Sequence, residues 1–205
     1  MKHLFAVFAA LLFANVALAE DVAPDALVRG VANDVLDIIR KDKDIRSGDT
    51  RKVVELADVK VLPHFDFTRM TRLAMGKDWR KATPEQQQQL TAEFRALLVR
   101  TYSKALVEYR DQTIEFKPFK MQPADTDALV RTTVAQAGSK PISIDYNLEK
   151  TDQGWKVYDI AVAGVSLVTN YRSSFAEEVT ANGVDGLIAS LRTKNKSGDS
   201  SAAKK

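Results

Sequence analysis

Hydrophobic positions recur every three or four residues in the first half of the chain and every two in the second. After Pro24, which suits the first turn of a helix, Leu27, Val28, Val31, Val35, Ile38 and Ile39 share one helical face until the charged segment 41–49. Val53, Val54, Leu56, Val59 and Leu62 make a second helical pattern that stops at Pro63, whose ring disfavours helical geometry in the residue before it. Phe65, Phe67, Met70, Leu73, Ala74 and Met75 predict a short helix ended by Gly76. Thr83-Pro84-Glu85-Gln86 is the clearest local signal: Thr83 caps, Pro84 takes the first helical position and Gln86 completes a capping box. The stripe Leu90, Phe94, Leu97, Leu98, Thr101, Tyr102, Ala105, Leu106 and Tyr109 carries that helix for about 25 residues.

Beyond Asp111 the period falls to two. Segments 113–121 and 128–136 read as strands, and Ile142, Ile144, Tyr146 and Leu148 alternate strictly with Ser143, Asp145, Asn147 and Glu149. Asp152-Gln153-Gly154 turns the chain into a strand over 155–162, so the last two strands form an antiparallel hairpin. Gly164 breaks the apolar run, Val165, Leu167, Val168, Tyr171 and Phe175 regain helical spacing, and a short last helix spans 184–191. Helices first and antiparallel strands after predict an α+β fold. One domain is expected over 20–192, a helical part at about 20–110 combined with a sheet and terminal helices at about 111–192. Lys, Ser, Asp and Ala without apolar anchors predict a disordered tail over 193–205.

The first 19 residues differ from all of this. Lys2 precedes an apolar run from Leu4 to Leu18, and Ala17 and Ala19 flank one position, which reads as a secretory signal peptide cleaved before Glu20. An uncleaved anchor is the alternative, but the run is shorter than the ~20 residues that span a bilayer. Export and the absence of cysteine together predict a fold held by packing alone, without disulfides or a lipoprotein anchor. The net charge of +3 sits largely in the tail, because the body from 20 to 192 holds 25 basic and 26 acidic residues. Nothing in that balance supplies the basic face a nucleic-acid partner requires.

Candidate chemistry is sparse. His64 is the sole histidine after the leader and stands two residues before Asp66, but a triad also needs a nucleophile. Gly164-Val165-Ser166 begins like a nucleophile elbow, yet Val168 stands where glycine is required, so Ser166 reads as a cap or turn residue. Asp42, Asp44 and Asp49 fail as a calcium loop because Arg46 sits at a ligand position and Ser47 replaces the turn glycine. No phosphate-binding glycine loop or histidine cluster is present, so no catalytic residue, metal or cofactor is expected. The surplus is apolar and aromatic, at the junction of the two periods. Periodicity leaves two readings open there, a packed helix-on-sheet core and a cavity lined for an apolar ligand.

The segment Val165-Ser166-Leu167-Val168-Thr169-Asn170-Tyr171-Arg172-Ser173-Ser174-Phe175, with Trp155 to Gly164 before it, strongly resembles the MlaC family, also called the toluene-tolerance Ttg2 family. Gly76-Lys77-Asp78-Trp79-Arg80, Thr83 to Gln86, Thr101-Tyr102 and Gly183-Val184-Asp185-Gly186-Leu187-Ile188 match in family order, covering most of the chain from Phe65 to Arg192. The resemblance implies a periplasmic carrier with bound phospholipid and a sheet like that of nuclear transport factor 2 combined with helices. It implies partners in an outer-membrane complex containing MlaA and the inner-membrane ABC transporter MlaFEDB, with membranes met only transiently and through them. The lipid-binding positions it implies are Leu98, Tyr102, Leu106, Tyr146, Tyr158, Val162, Val165, Val168 and Tyr171. Arg172 either meets the headgroup at the mouth or makes a surface salt bridge, and Asp159 either pairs with Arg172 or caps the following turn. A hopanoid-type carrier and an assembly module without a cavity remain the alternatives.

Overall fold

The computed structural model describes residues 22–108, 112–135, 138 and 140–196, side chains at 104–108 excepted. The leader 1–19 and the stretch 197–205 lie outside them. Helix α1 (Pro24–Lys41) starts with proline in its first turn, has Asp25 near its N-terminus, and ends with Arg40 and Lys41 against its negative pole. The charged segment after it is not an open loop. It forms the single-turn helix α2 (Lys43–Ser47), capped by the Asp42 carboxylate and closed by Gly48 at φ 97°, with Ile45 buried. Asp49 caps α3 (Thr50–Lys60) in the same way. The carboxylates suggestive of a calcium loop are therefore used on backbone N–H groups, and those bonds hold Asp42 and Asp49 below the ordinary carboxylate range.

Pro63 sits in a 3-10 turn (Leu62–His64), after which Asp66 caps α4 (Phe67–Met75). Both bonds of the capping box at α5 (Pro84–Glu108) are made: Thr83 N–H donates to Gln86 Oε1 at 2.9 Å, and Gln86 N–H to Thr83 Oγ1 at 3.2 Å. The strands follow as β1 (Thr113–Phe116), β2 (Asp127–Ala135), β3 (Ile142–Thr151), β4 (Gly154–Val162) and β5 (Val165–Ser166), an antiparallel meander in sequence order. β1 is shorter than its alternation suggests, because Pro118 has no N–H for the ladder after Lys117 donates to Arg131 O. Segment 165–171 takes a strand and a 3-10 turn instead of a helix. Ser166 Oγ accepts from the N–H groups of Val168 and Thr169 and so caps that turn.

α6 (Arg172–Lys196) bends at Gly183, where φ is 70°. Its last helical stretch runs to Lys196 rather than stopping at Leu191, so 193–196 are not a disordered tail. Polar anchors explain the extra turn: Arg192 bonds Glu93 and Gln89, and Asn195 donates to the Glu93 carbonyl at 2.9 Å. An apolar pattern does not register such anchors.

The architecture is α+β, helices against a curved antiparallel sheet, as expected. Its apolar interior is divided. Met70, Ala74, Leu90, Phe94, Phe175 and Leu187 belong to a core shared by α4, α5 and α6. Val28 joins Val130, Leu148, Trp155 and Val157 on the sheet, while Val35, Ile39, Ile45, Val53 and Leu56 unite α1, α2 and α3. Where the three clusters meet, the space is not filled.

Candidate functional site: an apolar cavity between helices and sheet

A cavity of about 320 Å³ occupies that junction, within the ~300–1,000 Å³ typical of small-molecule sites. Helix α1 builds one wall: Leu27, Val31, Val35 and Ile39 follow helical spacing, so one stripe faces inward along almost the whole helix. Ala57 and Val61 continue the wall on the α3 side. Leu98, Val99, Tyr102 and Ser103 of α5 lie on another side, with Phe65, Phe67 and Met70 beside them. The sheet supplies Ile144 and Tyr146 from β3 and Val157, Ile160 and Val162 from β4.

The spacing on β4 departs from strict alternation, and the register shows why. Leu148 pairs with Val157 while Asn147 pairs with Asp159, so Tyr158 is the extra residue of a β-bulge. Before the bulge Val157 faces the cavity, and after it the phase changes so that Ile160 and Val162 do. Asp159 is thereby turned to the opposite face, where its carboxylate accepts from Val168 N–H at 3.4 Å. It caps the following turn, one of the two roles its sequence position allowed.

Polar groups on the wall are few: His64, Tyr102, Ser103 and Tyr146. Burial pushes the Tyr102 hydroxyl up to about 12, with the neighbouring Tyr171 hydroxyl adding to the shift. Burial also raises Tyr146, opposed by the Thr132 hydroxyl. His64 is held below its ordinary value by burial first and by the Lys156 charge second. Each shift favours the uncharged form, as expected of a surface that excludes water.

Of the residues singled out in the sequence, Leu98, Tyr102, Tyr146 and Val162 line this cavity. Tyr158 does not, because the bulge sends its ring to the Arg69 guanidinium, 3.5 Å from the ring centroid. Val168 is fully buried in the α4–α5–α6 core, and Tyr171 packs edge-on against Phe94 beside it. Val165 is 58% exposed at the sheet edge. The Leu106 side chain lies outside the described residues. Arg172 is not among the lining residues, and among the described residues it meets a carbonyl and not a carboxylate: its Nε and Nη2 donate to the Leu73 carbonyl at 3.1 and 3.0 Å. It satisfies a carbonyl in the last turn of α4 that the helix itself leaves unpaired.

The α1 stripe is the principal lining absent from the lipid-binding positions expected from the sequence, where it was legible only as an amphipathic helix. Its signal was the amphipathic pattern itself, which is the same for a helix against side chains and a helix against a hollow. The catalytic candidates are accounted for structurally: Asp66 accepts from Arg69 N–H at 2.7 Å as a helix cap, leaving His64 on an apolar wall. Among the described residues no group of three or more His, Cys, Asp or Glu side chains is placed to hold a metal.

Comparison with known proteins agrees with this geometry. The family model described as MlaC protein matches residues 29–193. The toluene tolerance protein ttg2D of Pseudomonas putida is 26% identical over 188 residues, 88% of this chain and 87% of that protein. The intermembrane phospholipid transport system binding protein MlaC of Haemophilus influenzae is 24% identical over 189 residues, 91% and 88% of the two chains. A phospholipid-binding protein from Ralstonia solanacearum, solved in complex with a phospholipid, superposes with a TM-score of 0.79 at 44% identity. That alignment covers 86% of this chain and 98% of the other.

Proposed function

The chain belongs to the MlaC family, and from that premise we propose that it carries phospholipid through the periplasm, between an outer-membrane complex containing MlaA and the inner-membrane transporter MlaFEDB. In this reading it is exported with a cleaved leader and helps maintain outer-membrane lipid asymmetry. The single observation that carries the proposal is the apolar cavity between α1, α5 and the sheet, in a chain 44% identical to a protein solved with a phospholipid bound.

The physical requirement is severe. A two-chain phospholipid has roughly 30 methylene and methyl groups, and at about 0.8 kcal/mol each their exposure costs on the order of 25 kcal/mol. A carrier must therefore replace one apolar enclosure with another, and a wall of Val, Ile, Leu and Phe does so without leaving polar groups unpaired. Among the described residues no helix is long and apolar enough to cross a membrane. In this reading the protein meets bilayers through its partners. The sequence has no phosphate-binding glycine loop, so directionality comes from the partners and from differences in lipid affinity.

Protein isolated from its native periplasm and analysed by native mass spectrometry tests this directly. Co-purifying phospholipid masses that pass to acceptor vesicles are the expected result. Hopanoid masses would reassign the cargo, and a lipid-free protein that extracts nothing from vesicles would leave only the assembly-module reading.

A further inference from the structure

A second hollow opens between α3 and α5, lined by Val54 and Asp58 of α3 and by Ala92, Arg95, Ala96, Val99 and Arg100 of α5. Its origin is local: Ala92 and Ala96 are one helical turn apart and carry only methyl groups, so α5 leaves a trough opposite Val54 and Asp58. Arg95 and Arg100 flank the trough. Arg95 is paired, its Nη2 lying 2.7 Å from Asp58 Oδ1, which neutralises the carboxylate facing the cleft. Arg100 is different. Its Nη1 is shielded from solvent and has no hydrogen-bond partner among the described residues.

A guanidinium is charged at every physiological pH, and a donor removed from water without an acceptor is costly. The described cleft thus has one ion pair and one guanidinium nitrogen shielded from water without an acceptor. Val99 lines both this cleft and the apolar cavity, and Ala57 of the cavity precedes Asp58 of the cleft, so the two hollows adjoin across the α3–α5 seam.

We propose that the α3–α5 cleft is an oxyanion seat for a phosphate group, held by Arg100 with Arg95 beside it. The shared chemistry fits a phosphodiester headgroup whose acyl chains occupy the adjoining cavity, and it equally fits a free phosphate ion. The headgroup assignment rests on the carrier reading; the oxyanion seat does not. A guanidinium presents a planar donor fork to two phosphate oxygens, which the compact ammonium of lysine does not reproduce.

The test uses the full mature chain, wild type, Arg100→Gln and Arg100→Lys. Each is titrated with inorganic phosphate by calorimetry, and each is loaded from phosphatidylcholine vesicles doped with phosphatidylglycerol or with diacylglycerol of the same chains. For a headgroup seat, wild type retains phosphatidylglycerol about tenfold longer than diacylglycerol, Arg100→Gln erases the difference and Arg100→Lys restores only part of it. For a free-anion seat, phosphate binds lipid-loaded wild type and not Arg100→Gln, while retention of both lipids is equal. If Arg100→Gln changes neither phosphate binding nor the lipid preference, the seat is wrong. A wild type that takes up neither lipid defeats the carrier reading instead; phosphate binding then supports the seat by itself and its absence overturns it. A urea midpoint for Arg100→Gln at or above that of wild type, without phosphate, shows that the variant folds and that the unpartnered guanidinium contributes no stability.

Discussion

The guanidinium carbon of Arg69 lies 3.5 Å from the centre of the Tyr158 ring, joining α4 to the bulge of β4. The same guanidinium bonds Glu149 on β3 and reaches Asp127 on β2 at 3.2 Å. One residue before α4, Asp66 N–H donates to the Val157 carbonyl at 2.9 Å. Because Phe67 and Met70 of α4 line the cavity, this group of contacts fixes one cavity wall to the sheet. Burial and the neighbouring Asp66 raise Glu149, and Arg69 opposes both.

Replacing Arg69 with Met keeps much of the stem and removes the charge. We expect a loss of about 1–2 kcal/mol, from the stacked cation and a partly shielded ion pair, read from urea unfolding. Bound lipid should also exchange into vesicles faster than from wild type. An unchanged urea midpoint would show that the clamp contributes nothing.

Val162 and Val165 are cross-strand partners flanking the β4–β5 turn, but only Val162 lines the cavity, while Val165 stands beyond its rim at 58% exposure. Val162→Asp should reduce retained lipid by about tenfold or more, because a carboxylate on that wall faces hydrocarbon. Val165→Asp should retain lipid as wild type does, since its side chain already meets solvent. Equal losses in the two variants, measured by extracting lipid from purified protein, would place the acyl chains elsewhere.

His64 supplies a pH dependence with a definite sign. Its folded-state affinity for a proton lies below the ordinary 6.5, so the unfolded chain binds the proton more readily. The neutral ring's stability is fully present above that ordinary value and is lost as pH falls from there toward the folded one. His64→Gln should therefore show a smaller fall in urea midpoint than wild type between about pH 7.5 and about pH 5.5. Identical falls would mean that His64 does not report a dry wall.

Tyr102 titrates late, at about 12, chiefly through burial. Alkaline titration of the folded protein, followed by phenolate absorbance, should show a late phase whose amplitude Tyr102→Phe reduces by one tyrosine, while the buried Tyr146 keeps its share. An unchanged late amplitude in the variant would show that the Tyr102 hydroxyl is not buried.

Local sequence rules revealed much of the framework. Pro24, the Thr83–Gln86 box and Gly76 mark element ends through backbone chemistry that depends only on neighbours, and they stand where that chemistry places them. The cavity was less legible. The inward stripe of α1 has one pattern whether side chains or a hollow lie opposite, and only the separation of the three apolar clusters decides between them. Tyr158 illustrates a second obstacle: strict alternation gives it the facing of Ile160, and the bulge that separates them arises from pairing with β3. Arg172 illustrates a third, since its acceptor, the Leu73 carbonyl, is 99 residues away in sequence.

Lipid tails between α1 and the sheet would be seen by anomalous diffraction from protein loaded with a phospholipid brominated in its acyl chains. Bromine peaks are expected within van der Waals reach of Val31, Val35, Tyr146 and Ile160. Peaks confined to the outer surface, or a fully loaded protein with no bromine in that space, would contradict that placement of the tails.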